Sequence, residues 1–99
     1  MTKAEIVAEI AHRTGIEKIL VQESVEAFMT VLKEALTKEN AENVYLRGFG
    51  SFIVKKRAEK TGRNISKNTT IIIPAHYIPS FKPAKVFMES VKKNVKQVK

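Results

Sequence analysis

The hydrophobic pattern of this chain changes within the stretch Val44-Tyr45-Leu46-Arg47-Gly48-Phe49-Gly50-Ser51-Phe52-Ile53-Val54-Lys55. Two short runs rich in β-branched and aromatic residues flank Gly48-Phe49-Gly50, which predicts two strands, Val44–Arg47 and Ser51–Lys55, joined by a tight turn. Before this stretch, apolar residues recur with the period of a helix instead. A helical segment followed by a strand segment indicates an α+β fold.

The N-terminal segment predicts a helical hairpin. Thr2-Lys3-Ala4-Glu5 fits a capping box, and Gly15 follows the first apolar stripe as a helix stop. A second amphipathic helix is expected from about Lys18 to Lys38, although Glu17 is a poor N-cap. The short break around Gly15 makes the two helices an antiparallel pair.

The segment after residue 55 predicts a protruding arm and a last helix. Thr69–Ile73 is a third β-branched run that ends at Pro74, and residues 56–68 contain few side chains able to fill a core. Pro79–Pro83 is expected to lead into a C-terminal helix with Pro83 in its first turn. The expected architecture is a single domain, 1–99, with a helical hairpin (1–43), an antiparallel three-stranded sheet with a long hairpin arm (44–82, the arm about 55–73), and a C-terminal helix and tail (83–99).

Charge is distributed unevenly along the chain. The formal net charge is +8. Residues 1–43 hold five basic residues against eight Glu, a net of −3, whereas residues 44–99 hold thirteen against two, a net of +11. Such a basic half favours an anionic partner, either nucleic acid or an acidic membrane surface. A solvated surface that serves only solubility is the alternative.

The arm concentrates this charge. Six basic residues between positions 55 and 67 face a single acidic residue, Glu59. Cations spaced along a two-stranded ribbon can follow a nucleic-acid groove, while a solvated loop is the alternative. Ile65 is an apolar residue near an exposed tip, so it either packs on its own hairpin or inserts into a partner.

No residue pattern indicates catalysis. Gly48-Phe49-Gly50 lacks the third glycine of a dinucleotide loop, because position 53 is Ile. His12 and His76 stand apart from any metal or triad spacing, and the chain has no cysteine. We therefore expect a protein that is not an enzyme, with no cofactor, no metal site and no small-molecule substrate. The N-terminus offers no apolar signal segment, and no stretch is long and apolar enough to span a membrane.

Three motifs carry a resemblance to a known family: Leu46-Arg47-Gly48-Phe49-Gly50-Ser51-Phe52, then Arg63-Asn64, then Ile73-Pro74-Ala75 with Pro79-Ser80-Phe81-Lys82-Pro83-Ala84-Lys85. Over residues 1 to about 93 the sequence resembles the bacterial HU and integration host factor family of DNA-bending, nucleoid-associated proteins. The resemblance implies an intertwined dimer in which two helical hairpins form a base and two β-arms wrap the minor groove of DNA. It favours an HU-like homodimer, with a heterodimer with a paralogue left open, acting on the nucleoid in the bacterial cytoplasm.

The resemblance also assigns roles to residues. Arg57, Lys60 and Arg63 fall on arm positions that line the minor groove, and Asn64 falls on the tip motif. Lys3, Lys82 and Lys85 lie near helix N-termini, which favour phosphate. The expected DNA-binding set is completed by Arg47, Lys55, Lys56, Ile65 and Lys67, and the expected aromatic core of the dimer is Phe49, Phe52 and Phe81.

The tip departs from the family pattern at two positions. Ile65 stands where the family usually has a Pro that wedges between base pairs, and Asn68 stands where a Gly is usual. Isoleucine also serves as a minor-groove wedge, but it does not fix φ as proline does.

The sequence predicts an architectural protein that binds duplex DNA with little sequence specificity through the minor groove and bends or compacts it. The alternatives are a basic membrane-surface module on the C-terminal helix, where Val91, Val95 and Val98 oppose Lys92, Lys96 and Lys99, and an RNA-binding module.

Overall fold

The computed structural model describes residues 1–64 and 69–96, with the backbone alone at residues 63 and 64. Its elements follow the order that the sequence predicts, with helices first, then strands, then a last helix. They are α1 (Lys3–Thr14), α2 (Lys18–Thr37), β1 (Val44–Leu46), β2 (Gly50–Arg57), β3 (Lys60–Asn64), β4 (Thr69–Ile73), β5 (His76–Pro83) and α3 (Lys85–Asn94). The α+β class is confirmed.

Local capping sets the limits of α1, as predicted. The Thr2 hydroxyl accepts a hydrogen bond from the Glu5 N–H at 3.3 Å. Gly15 ends the helix with a left-handed φ of 75°, and its N–H donates to the Ala11 carbonyl at 2.9 Å. Glu17 provides no side-chain cap for α2. The two helices pack together as a hairpin, and Val7 and Val21 are buried.

The strands form two separate sheets. The main sheet is antiparallel in the order β1-β2-β5, and β3 pairs with β4 in a two-stranded ribbon, which we call the arm. The pairing changes from one sheet to the other at residues 58–59 and 74–75. The arm ribbon therefore begins at Lys60, and Lys55 to Arg57 belong to the main sheet rather than to a continuous arm from residue 55.

The sequence analysis missed β5 and misplaced the start of α3. His76–Pro83 is a strand paired along its whole length with β2, and α3 begins at Lys85, so Pro83 is not in its first turn. Two prolines discouraged a strand prediction. They are tolerated because β5 is an edge strand of the main sheet, where a residue without an N–H interrupts no ladder on its outer side.

Gly50 lies where β2 and β5 leave no room for a side chain. A Cβ atom at this position would lie 2.6 Å from the Lys82 carbonyl oxygen and 2.7 Å from the Phe81 ring. Gly48 has a φ of 80° in the preceding turn, where the Phe49 N–H donates to the Leu46 carbonyl at 2.9 Å. The two glycines therefore allow the turn and let Phe81 pack directly over β2.

The protomer has a thin core and an extended shape. Among the described residues, the buried apolar side chains are Val7 and Val21, at 2% and 4% exposure, while Phe28 and Met88 remain half-exposed or more. The radius of gyration is 18.8 Å, whereas a compact chain of this length has about 13 Å. No helix within the described ranges has the length and apolar character needed to cross a membrane.

Candidate nucleic-acid interface

The arm combines cationic residues on β3 with apolar residues on β4. Lys60 lies opposite Ile73, and Arg63 lies opposite Thr70. Because side chains alternate between faces, Lys60 shares a face with Ile71 and Ile73, and position 63 belongs to the other face. Ile71, Ile72 and Ile73 are all exposed, so the arm has no core of its own in the protomer.

At the root of the arm, the register divides the cations of β2 between the two faces of the main sheet. Lys56 lies opposite Tyr77 and shares a face with Phe52 and Phe81. Lys55 and Arg57 lie on the other face, which we call the outer face. The cations of β2 therefore do not form a single stripe.

The outer face continues across the sheet as a row of polar side chains. Tyr45 lies opposite Ser51, and Ser51 lies opposite Lys82. A cleft of about 630 Å³ borders this row and is also lined by Arg47. Lys82, Arg47, Lys55 and Arg57 are thus brought to one side of the molecule, as a nucleic-acid interface requires.

The N-termini of α3 and α1 differ in what they offer an anion. Lys85 is the first residue of α3, and the N-cap Ala84 makes no side-chain capping bond, so first-turn N–H groups remain available. At α1, Thr2 caps the helix, and the Lys3 ammonium forms an ion pair with Glu26 of α2. This ion pair occupies the Lys3 ammonium in the structure, so a phosphate at this position would compete with the Glu26 carboxylate.

Ion pairs concentrate in the helical half. Within residues 1–64 and 69–96, they are Lys3–Glu26, Glu9–Arg13 and Lys38–Glu42. A hydrogen bond from Lys38, with its positive charge, lowers the pKa of the Glu42 carboxyl. None of these pairs involves a described side chain of the arm or the outer face, so an anion that approached those cations would displace no paired carboxylate.

An aromatic cluster fills the opposite, inner face of the main sheet. The Phe81 ring centroid lies 4.9 Å from that of Phe52 and 5.2 Å from that of Phe49. Phe87 of α3 stacks on Phe49 at 5.4 Å, a member that the sequence analysis did not assign to the cluster. Its signal was the helical spacing of Phe87 and Val91 in the segment predicted as the last helix. Phe49 and Phe81 stay 46% and 37% exposed, so the cluster is unfinished in the protomer.

Several predicted site residues fall where the structure gives no description. Ile65 and Lys67, as well as Asn68, lie outside the described residues, and the side chains of Arg63 and Asn64 do as well. Within the described ranges no cluster of histidine and acidic side chains could hold a metal ion.

Comparison with known proteins identifies the family. The family model described as bacterial DNA-binding protein matches residues 1–92. The chain belongs to this family. A DNA-binding protein HU of Thermus thermophilus is 41% identical over 93 residues, covering 94% of this chain and 94% of that protein. A DNA-binding protein HU of Thermotoga maritima is 38% identical over 92 residues, covering 93% of this chain and 100% of that protein.

A solved structure of the family shares the fold. The HU–DNA cocrystal structure from Anabaena matches with a TM-score of 0.85 at 33% identity, covering 92% of this chain and 97% of that chain. Membership of the bacterial DNA-binding family confirms the resemblance on which the sequence analysis relied.

Proposed function

We propose that this chain is an architectural protein that binds double-stranded DNA through the minor groove, with little sequence specificity, and bends it. One observation carries the proposal. A two-stranded ribbon with cations extends from a sheet whose outer face is also cationic, and this arrangement occurs in a chain that belongs to the bacterial DNA-binding family. The relatives are named DNA-binding proteins, and a solved neighbour is a complex with DNA.

The charge distribution supports this function. Neutralisation of phosphates by Lys and Arg releases condensed counterions, which drives binding without reading sequence. The minor groove offers a degenerate base pattern, so an arm within it senses width and deformability more than base identity. We therefore propose that the protein acts with the DNA-condensing proteins of the nucleoid, in the bacterial cytoplasm.

We assign the proposed contacts to three groups. Arg57, Lys60, Arg63, Asn64 and Lys67 contact the groove and its phosphates along the arm, with Ile65 as the wedge at the tip. Arg47, Lys55, Lys82 and Lys85 contact flanking phosphates from the outer face and the α3 N-terminus. Lys3 adds a contact from the helical hairpin once its ion pair with Glu26 is broken. Lys56 lies on the inner face, so we assign it a long-range electrostatic role.

The functional unit is a homodimer, and residues 1–99 form one DNA-binding domain in each protomer. The thin core and half-exposed Phe49 and Phe81 support this, because a chain of this size buries too little surface alone. A cleft of about 630 Å³ beside the aromatic cluster, lined by Phe87, Met88 and Val91, is where we place the partner protomer. Two arms then project from the dimer and wrap around the duplex.

The membrane-surface alternative rests on α3. Val91 and Val95 are about half exposed beside Lys92 and Lys96, as an amphipathic helix would require. The helix ends at Asn94 after only 10 residues, and it begins beside the aromatic cluster. We therefore propose that its apolar side packs within the dimer rather than on a membrane. We propose no catalytic activity, because the relatives are named for DNA binding.

A gel-shift competition tests the proposed function. Labelled linear duplex DNA is titrated with the protein at several salt concentrations, with unlabelled DNA of unrelated sequence, double-stranded RNA or anionic liposomes as competitors. We expect both DNA sequences to compete about equally and affinity to fall steeply with salt. Stronger competition by RNA or liposomes than by DNA would favour the corresponding alternative.

A further inference from the structure

We propose that the outer face of the main sheet carries a site for one unpaired nucleotide, whose base stacks on Tyr45 and whose phosphate binds Lys82. The proposal rests on the DNA-binding function above and deepens it. It adds a direct contact between the protein and an unpaired base to the binding of deformable DNA.

Tyr45 is an exposed aromatic ring that the protein holds in place. The ring is 72% exposed, although it stands on a strand of the main sheet. The Asn43 side-chain amide donates a hydrogen bond to the Tyr45 hydroxyl at 3.4 Å, and its carbonyl oxygen accepts one from the Val54 N–H at 3.3 Å. Asn43 thereby ties the far end of the ring to β2 and leaves the ring face open. A ring fixed in this way loses little entropy when a base stacks on it.

The surroundings of Tyr45 suit a nucleotide. The bordering cleft of about 630 Å³ is lined by apolar Ile53 as well as by Arg47 and Lys82. Small-molecule sites commonly measure about 300 to 1,000 Å³ and combine apolar walls with a few polar groups. This cleft therefore offers an apolar wall for a base and cations for its phosphate.

The register sets the distance between the two halves of the site. Tyr45, Ser51 and Lys82 are successive cross-strand neighbours on β1, β2 and β5. Neighbouring strands lie about 4.8 Å apart, so the backbones at Tyr45 and Lys82 are about 10 Å apart. A nucleotide fits between the ring and the ammonium, with the Ser51 hydroxyl between them as a hydrogen-bonding group.

A base-paired nucleotide cannot use this site. Within a duplex each base is stacked on both faces, so no π-face is available to a protein ring, whereas an unpaired base can leave the stack at low cost. Intact duplex therefore binds through the arm and the outer-face cations alone, and an unpaired base adds the Tyr45 contact.

The test compares three duplexes of the same sequence in gel-shift titrations of the full chain. One is intact, one carries a single-nucleotide bulge, and one carries the same bulge as an abasic site. Both bulges make the duplex flexible, but only the first supplies a base. We expect the bulge with a base to bind at least about fivefold more tightly than the abasic bulge, which corresponds to about 1 kcal/mol, the low end for a base stacked on an aromatic ring.

Three variants test whether Tyr45 causes the difference in affinity between the two bulged duplexes. Tyr45→Ala should reduce the base-to-abasic affinity ratio to about one, whereas Tyr45→Phe should retain it, since the ring remains. Tyr77→Ala is the matched control, because Tyr77 is equally exposed on the same sheet but lies on the inner face. It should leave the ratio unchanged. A folding defect would weaken binding to all three duplexes together and would not change the base-to-abasic affinity ratio.

Two results would overturn the proposal: a wild-type ratio near one, or a Tyr45→Ala ratio equal to that of the wild type. Either result is compatible with normal binding to intact duplex. If the wild type fails to bind intact duplex at low salt, it is the proposed function itself that fails.

Discussion

Phe81→Ala should unfold the protein or leave it barely folded at micromolar concentration. Phe81 contacts Phe49, Phe52 and Phe87, and it lies directly over Gly50. Truncation of a packed phenylalanine costs about 3 to 5 kcal/mol, and in a dimer the loss occurs in both protomers. The total stability of small proteins is about 5 to 15 kcal/mol, so the change removes a large share of it.

Thermal unfolding at several protein concentrations measures this effect. The wild-type midpoint should rise with concentration, because the folded state is the dimer, and the Phe81→Ala midpoint should lie far below it. Tyr77→Ala is the control, since Tyr77 stands on the same strand and face but is 69% exposed. A concentration-independent midpoint, or sedimentation of a folded wild-type monomer at micromolar concentration, would refute the dimer.

Simultaneous replacement of Arg57, Lys60 and Arg63 by Ala should flatten the salt dependence of DNA binding. In a dimer the triple variant removes six cations from the arms and their roots. Each phosphate contact contributes about 0.9 to the slope of log affinity against log salt, so the slope should fall in magnitude by up to about 5. Binding measured in gel shifts over a salt series gives the slope directly.

A second triple variant distinguishes the effect of where the cations lie from the effect of the total charge. Arg13, Lys33 and Lys38 lie in the helical half, where Arg13 and Lys38 already form ion pairs with Glu9 and Glu42. Their replacement by Ala removes the same formal charge. We expect the slope to stay close to that of the wild type. Equal slopes for the two triple variants would mean that the arm is not the contact surface.

The elements with strong local signals were predictable from the sequence. Thr2 and Gly15 delimit α1 through their own hydrogen bonds and backbone angles, so sequence alone located the ends of that helix. The glycines around Phe49 likewise predicted the turn between β1 and β2. These features depend on residues near in sequence, for which local chemistry decides the conformation.

Features that depend on distant partners were not predictable in the same way. β5 contains Pro79 and forms because β2 offers a pairing edge, which no local pattern reveals. The division of Lys55 and Lys56 between opposite faces follows from the register with β5. The Asn43 side chain bonds both Tyr45 and, eleven positions away, Val54, a link that no local sequence pattern reveals.

DNA bending is the central claim, and ring closure of a short duplex tests it most directly. DNA resists smooth bending over about 150 bp, so ligation of a fragment of about 100 bp into circles reports kinks. At full occupancy the wild type should raise ring closure strongly, Ile65→Ala should reduce it at equal occupancy, and Ile65→Pro should keep or increase it. Fully bound wild-type complexes that close no faster than free DNA would contradict the account.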